Sequence, residues 1–466
     1  MTAQGTVQKA MPSAKKRIWG WFFFDWASQP YNTLLLTFIF GPYFGGIVKD
    51  YLIGTGMEAE AAKAQAQSIW GLGLTISGLI IAFSAPILGA MADAAGRRMP
   101  WIWFFSVWYV VGSASLWFAY PDASNYIWIL VAFGIGFIGM EFTTIFTNSL
   151  LPDLGTKEEI GQISGSGFAF GYWGGVVALF IMLLLFAENE TGKTLLGIKP
   201  LLGLDPAMRE GTRFVGPFSA LWFIVFMAVF FRYVREPKRH SRGRLSVKAA
   251  FSELVQTIKS LRYRSSLLSY LTSSLFYRDA LNGLYAFGGF YALNVLDWSI
   301  VQVGVFGIVG AISAAIFAWV GGRIDKAKGP KPVIVFCIVT LIVVCTIIVS
   351  MTRESLFGFA IPAGSSLPDI IMYICGAIIG AAGGALQASS RSMMVRHCDP
   401  DHAAEAFGLY ALSGKATAFL APALVTFFSW LTQDPRLGIS PLIGLFVVGL
   451  VLLAWVNPEG ETDRKS

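Results

Sequence analysis

The sequence predicts an all-α membrane protein of twelve crossing helices, and three observations carry that expectation. Of 466 residues, 55% are hydrophobic and only 14% are charged, against roughly 25% charged in soluble domains. Apolar runs of the length needed to cross ~30 Å of hydrocarbon recur from end to end. The runs are continuous, whereas β-barrel spans would be ~10-residue alternating segments.

The first 17 residues are polar and basic. The apolar run that follows contains Asp25 and lacks a small-residue cleavage pattern, so it reads as a first span and not as a signal peptide. Spans are expected at 18–47, 68–92, 100–119, 124–151, 162–187 and 214–234, then at 265–294, 300–322, 332–351, 368–395, 403–431 and 437–456. The chain thus divides into a tail (1–17), a six-helix bundle (18–234), a basic linker (235–264), a second six-helix bundle (265–456) and a tail (457–466). With the N-terminus in the cytosol, the cytosolic segments hold 24 of the 35 Lys and Arg and the outer loops hold 8. The positive-inside rule therefore puts both termini in the cytosol, with a bacterial inner membrane as the expected setting. The same bias accounts for the net charge of +7 without a nucleic-acid partner. The stretch Arg232–Arg264 is the densest in basic residues and suits anionic lipid headgroups, so membrane lipids are expected partners.

The halves repeat at matching places. Asp25 precedes Tyr31 by six residues in span one, and Asp279 precedes Tyr285 by six in span seven. GAMADAAGRR follows span two, with Gly89, Asp93, Gly96, Arg97 and Arg98; GGRIDKAKGPK follows span eight, with Gly321, Asp325, Gly329 and Lys331. Two parallel six-helix halves around a midplane cavity are a transporter architecture.

The string Gly89–Arg98 is similar to the G-x-x-x-D-x-x-G-R-[RK] loop signature of the major facilitator superfamily. More narrowly, FDWASQPYNTLLLTFIFGPYF, NSLLPDLGTKEEIGQISGSGFAFGYWGG and SSRSMMVRH…FGLYALSGKATAFLAP resemble the unidentified major facilitator family, which includes fungal vacuolar amino-acid effluxers. The resemblance implies a major facilitator fold of twelve helices in two pseudo-symmetric bundles, with spans one, four, seven and ten lining the cavity. It also implies a secondary transporter. Arg278, in YRDA, stands where that family usually has a neutral residue.

Six ionisable side chains lie well inside the expected spans: Asp25, Glu141, Arg278, Asp279, Arg391 and Lys415. At about 2.5 to 3.5 kcal/mol each, leaving all six to lipid would cost roughly 15 to 20 kcal/mol. They must face a wet cavity or pair with one another. Helical spacing puts Asp25, Gln29 and Asn32 on one side of span one, and Glu141, Thr144 and Asn148 on one side of span four. Gln387, Ser390 and Arg391 cluster in span ten, and Arg278, Asp279 and Asn282 in span seven. These residues, with Lys415, form the candidate substrate and coupling site, although Lys415 points away from the face made by Tyr410, Ser413 and Thr417.

Several readings stay open at this level. Asp25 and Asp279 are cavity groups or carboxylates accepting hydrogen bonds at a broken helix, and Pro30 frees a carbonyl near Asp25. Glu141 is a titrating group or half of a permanent ion pair. Arg391 faces the cavity or snorkels to headgroups. Arg278 holds a carboxylate or phosphate, or sits in a local salt bridge. Asp25→Asn or Asp279→Asn should abolish transport.

Asp93 can meet the positive end of a neighbouring helix, and Arg97 and Arg98 can meet acids or lipid phosphates. Gly89, Asp93, Gly96, Arg97, Arg98 and Asp325 are therefore the expected cytosolic gate. The glycines of span five, Gly161 to Gly175, suit close packing on a neighbour.

Nothing points to an enzyme: HExxH, GxSxG and phosphate-loop patterns are absent, and His240, His397 and His402 fall in expected cytosolic segments as solvated groups. The four cysteines suggest neither a disulfide framework nor a metal site, and no cofactor is expected. The function expected is a monomeric secondary transporter for a small polar solute, an amino acid or small carboxylate, with protons as the candidate coupling ion. Export of drugs or lipid-like amphiphiles, or a transport-derived receptor or channel, is the alternative.

Overall fold

The computed structural model describes residues 12–460 except 238, 240–242, 244–245, 363, 416–417 and 433. His240, Thr417 and part of the basic linker therefore lie outside the described residues. Among the described residues, eleven helices are long and apolar enough to cross a membrane. A further helix, Ser265–Val295, fills the place of span seven; its serines, tyrosines, Arg278 and Asp279 make it too polar to be recognised by composition. Together they make twelve helices of a major facilitator fold.

Arg17 near the N-terminus donates to the Asp153 carbonyl (2.7 Å) just after span four. Near the C-terminus, Glu459 accepts from Arg396 (2.8 Å) at the end of span ten. The two ends of the described residues thus share one face, called here the terminal face; the opposite one is the distal face. Phe83, Val107 and Phe336 are exposed along the flanks, as a hydrocarbon-facing surface permits.

Span one (Ala14–Gly54) shows how sequence bends a helix. Pro30 lacks an N–H and its ring crowds the carbonyl four residues back, that of Trp26. Trp222 Nε1 takes up that carbonyl (3.0 Å). After Pro30 the chain widens into a π-helix, Tyr31–Phe38, the form helices take where they are disturbed. Tyr31 donates to the Phe133 carbonyl (2.6 Å) and fixes this bend against span four.

Spans two (Ala59–Ala94) and eight (Gln302–Lys328) run further than expected. Asp93 and Asp325 consequently sit in the last turn of a helix and not in a loop. Gly96 holds φ +64° just after span two, a left-handed conformation that needs no Cβ. Span eleven consists of two helical segments, Ala403–Lys415 and Leu420–Thr432.

The bundles interlock on the terminal face by close backbone approach. A Cβ on Gly165 of span five would lie 2.6 Å from Gly322 Cα of span eight, and one on Gly408 of span eleven 2.6 Å from the Ala85 carbonyl of span two. Small residues are what allow such crossings. The glycines of span five also seat span one: Gly167 and Gly171 lie against Asp25, and Gly174 against Trp26. In the linker, the helix Val247–Ser260 is capped by Ser246, whose hydroxyl accepts from Ala249 N–H (3.2 Å). It buries Ala250 and Leu254 and exposes Phe251 and Ile258.

Candidate functional site

Arg391 of span ten does not snorkel. It turns inward and is 3% exposed. Its Nη2 and Nη1 reach Asp25 Oδ2 (3.2 Å) and Oδ1 (3.4 Å), Nη1 also reaches Asn148 Oδ1 (3.0 Å), and Nε donates to Ser164 Oγ (2.9 Å). The Ser164 carbonyl accepts from Nη2 as well (2.9 Å). Its guanidinium carbon lies over the rings of Trp21 (4.5 Å) and Phe168 (4.1 Å). One cation of the second bundle is thus held by spans one, four and five of the first. A guanidinium suits this because its planar fork can serve several acceptors while its faces lie on aromatic rings.

A second ion pair crosses between the bundles nearer the middle. Lys415 of span eleven reaches Glu141 of span four at 2.8 Å, with side chains 24% and 19% exposed. Lys415 thus faces span four, whereas Tyr410 and Ser413 meet Arg278 and Ser274 of span seven. It closes the first segment of span eleven, and its long stem brings the ammonium over the Phe137 ring (5.0 Å). Beside it, Gln387 Nε2 of span ten donates to Tyr172 Oη of span five (3.1 Å). Gln29 and Asn32 are half-buried and Asn282 is exposed.

Span seven departs from expectation. Asp279 is 1% exposed and accepts from the Ala421 N–H through Oδ2 (2.9 Å). It sits at the start of the second segment of span eleven, where unpaired N–H groups and the helix dipole favour a carboxylate. It does not face a cavity. Asp25 and Asp279, matched by the repeat, thus hold different partners. Arg278 meets no carboxylate among the described residues; Nη1 donates to the Tyr410 carbonyl (2.8 Å) and the guanidinium stacks on that ring (4.0 Å). Since an amide oxygen can accept the same N–H, Asp279→Asn should preserve transport, whereas Asp279→Ala should cost about 1 kcal/mol of stability, the worth of a cap. Thermal unfolding and flux measured side by side on the two variants check this.

The terminal face carries a third set. Asp93 accepts from Arg98 Nη2 (2.9 Å) and Nε (3.1 Å), and from the Glu405 (2.8 Å) and Ala404 (3.2 Å) N–H groups that begin span eleven. Arg98, 1% exposed, also donates to the carbonyls of Ser149 (2.9 Å) and Pro400 (2.7 Å). A Cβ on Gly89 would strike the Ala404 carbonyl. Arg97 is exposed. Glu236, outside the spans, accepts from the Arg98 (2.6 Å) and Met99 (3.0 Å) N–H groups at the start of span three; its burial pushes the carboxyl above its ordinary pKa. Arg239 joins Asp153 (2.8 Å) to Asp401 (2.6 Å). His397 is buried and not solvated: its ring shares a hydrogen bond with Ser266 (2.8 Å) and lies along Tyr270. His402 lies beside Asp399 (3.2 Å).

These bonds are unevenly placed. Among the described residues, the hydrogen bonds and ion pairs between the bundles run from the middle of the spans to the terminal face. In the distal half the contact is apolar, with the Phe38 ring against Gly307. Sequence reasoning missed Ser164, Tyr172 and Glu236. Ser164 lies in a run of small residues that signals packing alone, Tyr172 carries no charge, and Glu236 falls outside the expected spans, so the cost of charge in hydrocarbon singles out none of them.

The chain is 24% identical over 446 residues to the uncharacterized MFS-type transporter YxiO of Bacillus subtilis, covering 95% of each. It is 26% identical over 321 residues to autophagy-related protein 22-2 of Neosartorya fischeri, where the match takes in 65% of this chain and 50% of that one, so it spans about half the length of its fungal relatives. The E. coli fucose:proton symporter FucP superposes with a TM-score of 0.66 at 14% identity, covering 96% of this chain and 99% of that one. Residues 13–465 match the family model described as vacuole effluxer Atg22 like, and this chain, a major facilitator transporter, belongs to that family.

Proposed function

We propose that the protein is a secondary active transporter that moves a small polar solute, an amino acid or small carboxylate, by alternating access. In this reading the terminal face is cytosolic, the membrane is a bacterial inner membrane, and the structure is the state closed toward the cytosol. The observation that carries the reading is the Glu141–Lys415 pair. It joins the two bundles near mid-span, remains partly accessible, and presents one anion and one cation side by side. A zwitterion carries the same two charges and can exchange for the pair: its carboxylate takes Lys415 and its ammonium takes Glu141. The Asp25–Arg391 pair, by contrast, is closed off by Ser164, Asn148 and two aromatic rings, which suits a latch between bundles better than a ligand seat.

The test is counterflow in proteoliposomes across amino acids and organic acids. Saturable exchange of at least one of them is expected. Glu141→Gln leaves Lys415 without its anion and should lower that flux by about tenfold, at the low end of the cost of truncating one member of a buried charge pair because this one is partly accessible. Unchanged flux in Glu141→Gln would remove the pair from the site.

A further inference from the structure

We propose that Asp325 is a proton-binding switch through which cytosolic pH sets the closure of the terminal face. The proposal rests on the alternating-access reading above.

Asp325 is the repeat counterpart of Asp93, yet its surroundings differ. Five residues after Asp93 stands Arg98, which binds it; five residues after Asp325 stands Pro330. Asp325 is 0% exposed. Its Oδ1 accepts from Ser392 Oγ (3.3 Å), while Oδ2 has no hydrogen-bond partner among the described residues. The Ser389 hydroxyl faces it from span ten, just outside hydrogen-bond geometry. The carboxyl is wedged on Gly161 of the opposite bundle, where any Cβ would collide with it.

The nearby cations are engaged elsewhere. On span ten, Arg391 is held by Asp25, and Arg396, near enough for its charge to act on Asp325, is bound by Glu459; the His397 ring, which need not be charged, is held by Ser266. Lys331 of span nine donates to the Ala454 and Val456 carbonyls, and Lys326, on Asp325's own helix, to Gln162 of span five. Arg323 and Lys328 on that helix, and Lys157, Glu158 and Glu159 opening span five, are exposed. On span seven, Arg278 is taken by Tyr410 and Asp279 by Ala421.

A carboxylate sealed from water with no cation in contact, its nearest one committed to another acid, is disfavoured in its ionised form, and the group takes a proton instead. When spans five and eight part on the terminal face, water replaces Gly161 against the carboxyl. The O–H bond then breaks, the proton passes to the cytosolic solution, and a hydrated carboxylate remains. The closed state holds one proton more than the open state, so acidification favours closure and alkalinisation favours opening. The equilibrium changes by up to about tenfold per pH unit between the carboxyl pKa values of the two states.

The experiment uses full-length protein in lipid nanodiscs, with Cys398→Ser and spin labels at Lys157→Cys and Ala327→Cys, which flank the seam. Pulsed distance measurements from pH 5 to 8, with and without a transported amino acid, read the closed fraction. In the labelled parent this fraction should rise as pH falls. Asp325→Asn, which mimics the protonated acid, should stay closed across the range, and Asp93→Asn should keep the pH response. A parent without pH response, or a response that survives in Asp325→Asn, overturns the proposal while leaving alternating access intact. A distance that never lengthens under any condition overturns both.

Discussion

Arg391→Ala is expected to abolish transport while leaving a folded, inserted protein. The variant leaves Asp25, 9% exposed, without its cation, and losing one partner of a buried pair costs about 3 to 5 kcal/mol. That cost falls on the state closed at the terminal face, because Asp25 and Arg391 belong to different bundles. It amounts to a shift of more than about a hundredfold between closed and open faces. Arg391→Lys should not rescue flux, since one ammonium cannot serve Asp25, Asn148 and both oxygens of Ser164 together. Flux in proteoliposomes alongside size-exclusion profiles of the purified variants checks this; normal flux in Arg391→Ala would contradict it.

Gly165→Leu should block the same closure by steric means. Even a Cβ at this position would lie 2.6 Å from Gly322 Cα, and backbone cannot yield as a side-chain tip can. Spans five and eight must then separate, and the equilibrium moves to the state open on the terminal face. A cysteine at Ser389, buried in the closed structure, should react rapidly with an impermeant thiol reagent from the terminal side in Gly165→Leu and slowly in the parent, both carrying Cys398→Ser. Flux should be lost in the variant. Slow labelling in both proteins would show that the seam tolerates the added bulk.

Much of this arrangement is legible in the chain. The cost of charge in hydrocarbon singles out Asp25, Glu141, Arg391 and Lys415 before any coordinates exist, and helical spacing puts Asn148 on the same stripe as Glu141. The repeat locates Asp93 and Asp325. What spacing cannot give is which helices meet. It assigns a face on one helix, whereas the partners of Arg391 come from three helices of the other bundle. Spacing likewise sets Lys415 apart from the face of Tyr410 and Ser413 but cannot name its partner on span four, Glu141. Asp279 shows the limit of a repeat, since matching positions share a backbone place and not a partner. The second segment of span eleven, whose N–H groups Asp279 meets, begins without a sequence signal strong enough to foresee.

The idea that the bundles part and rejoin on the terminal face is tested most directly by tying them together there. Gln162 and Lys326 lie on opposite bundles, with Lys326 Nζ 2.9 Å from Gln162 Oε1. With both replaced by cysteine in a Cys398→Ser background, a short cleavable thiol crosslinker should stop counterflow, and cleaving it should restore the flux. Undiminished counterflow in fully crosslinked protein would contradict the account.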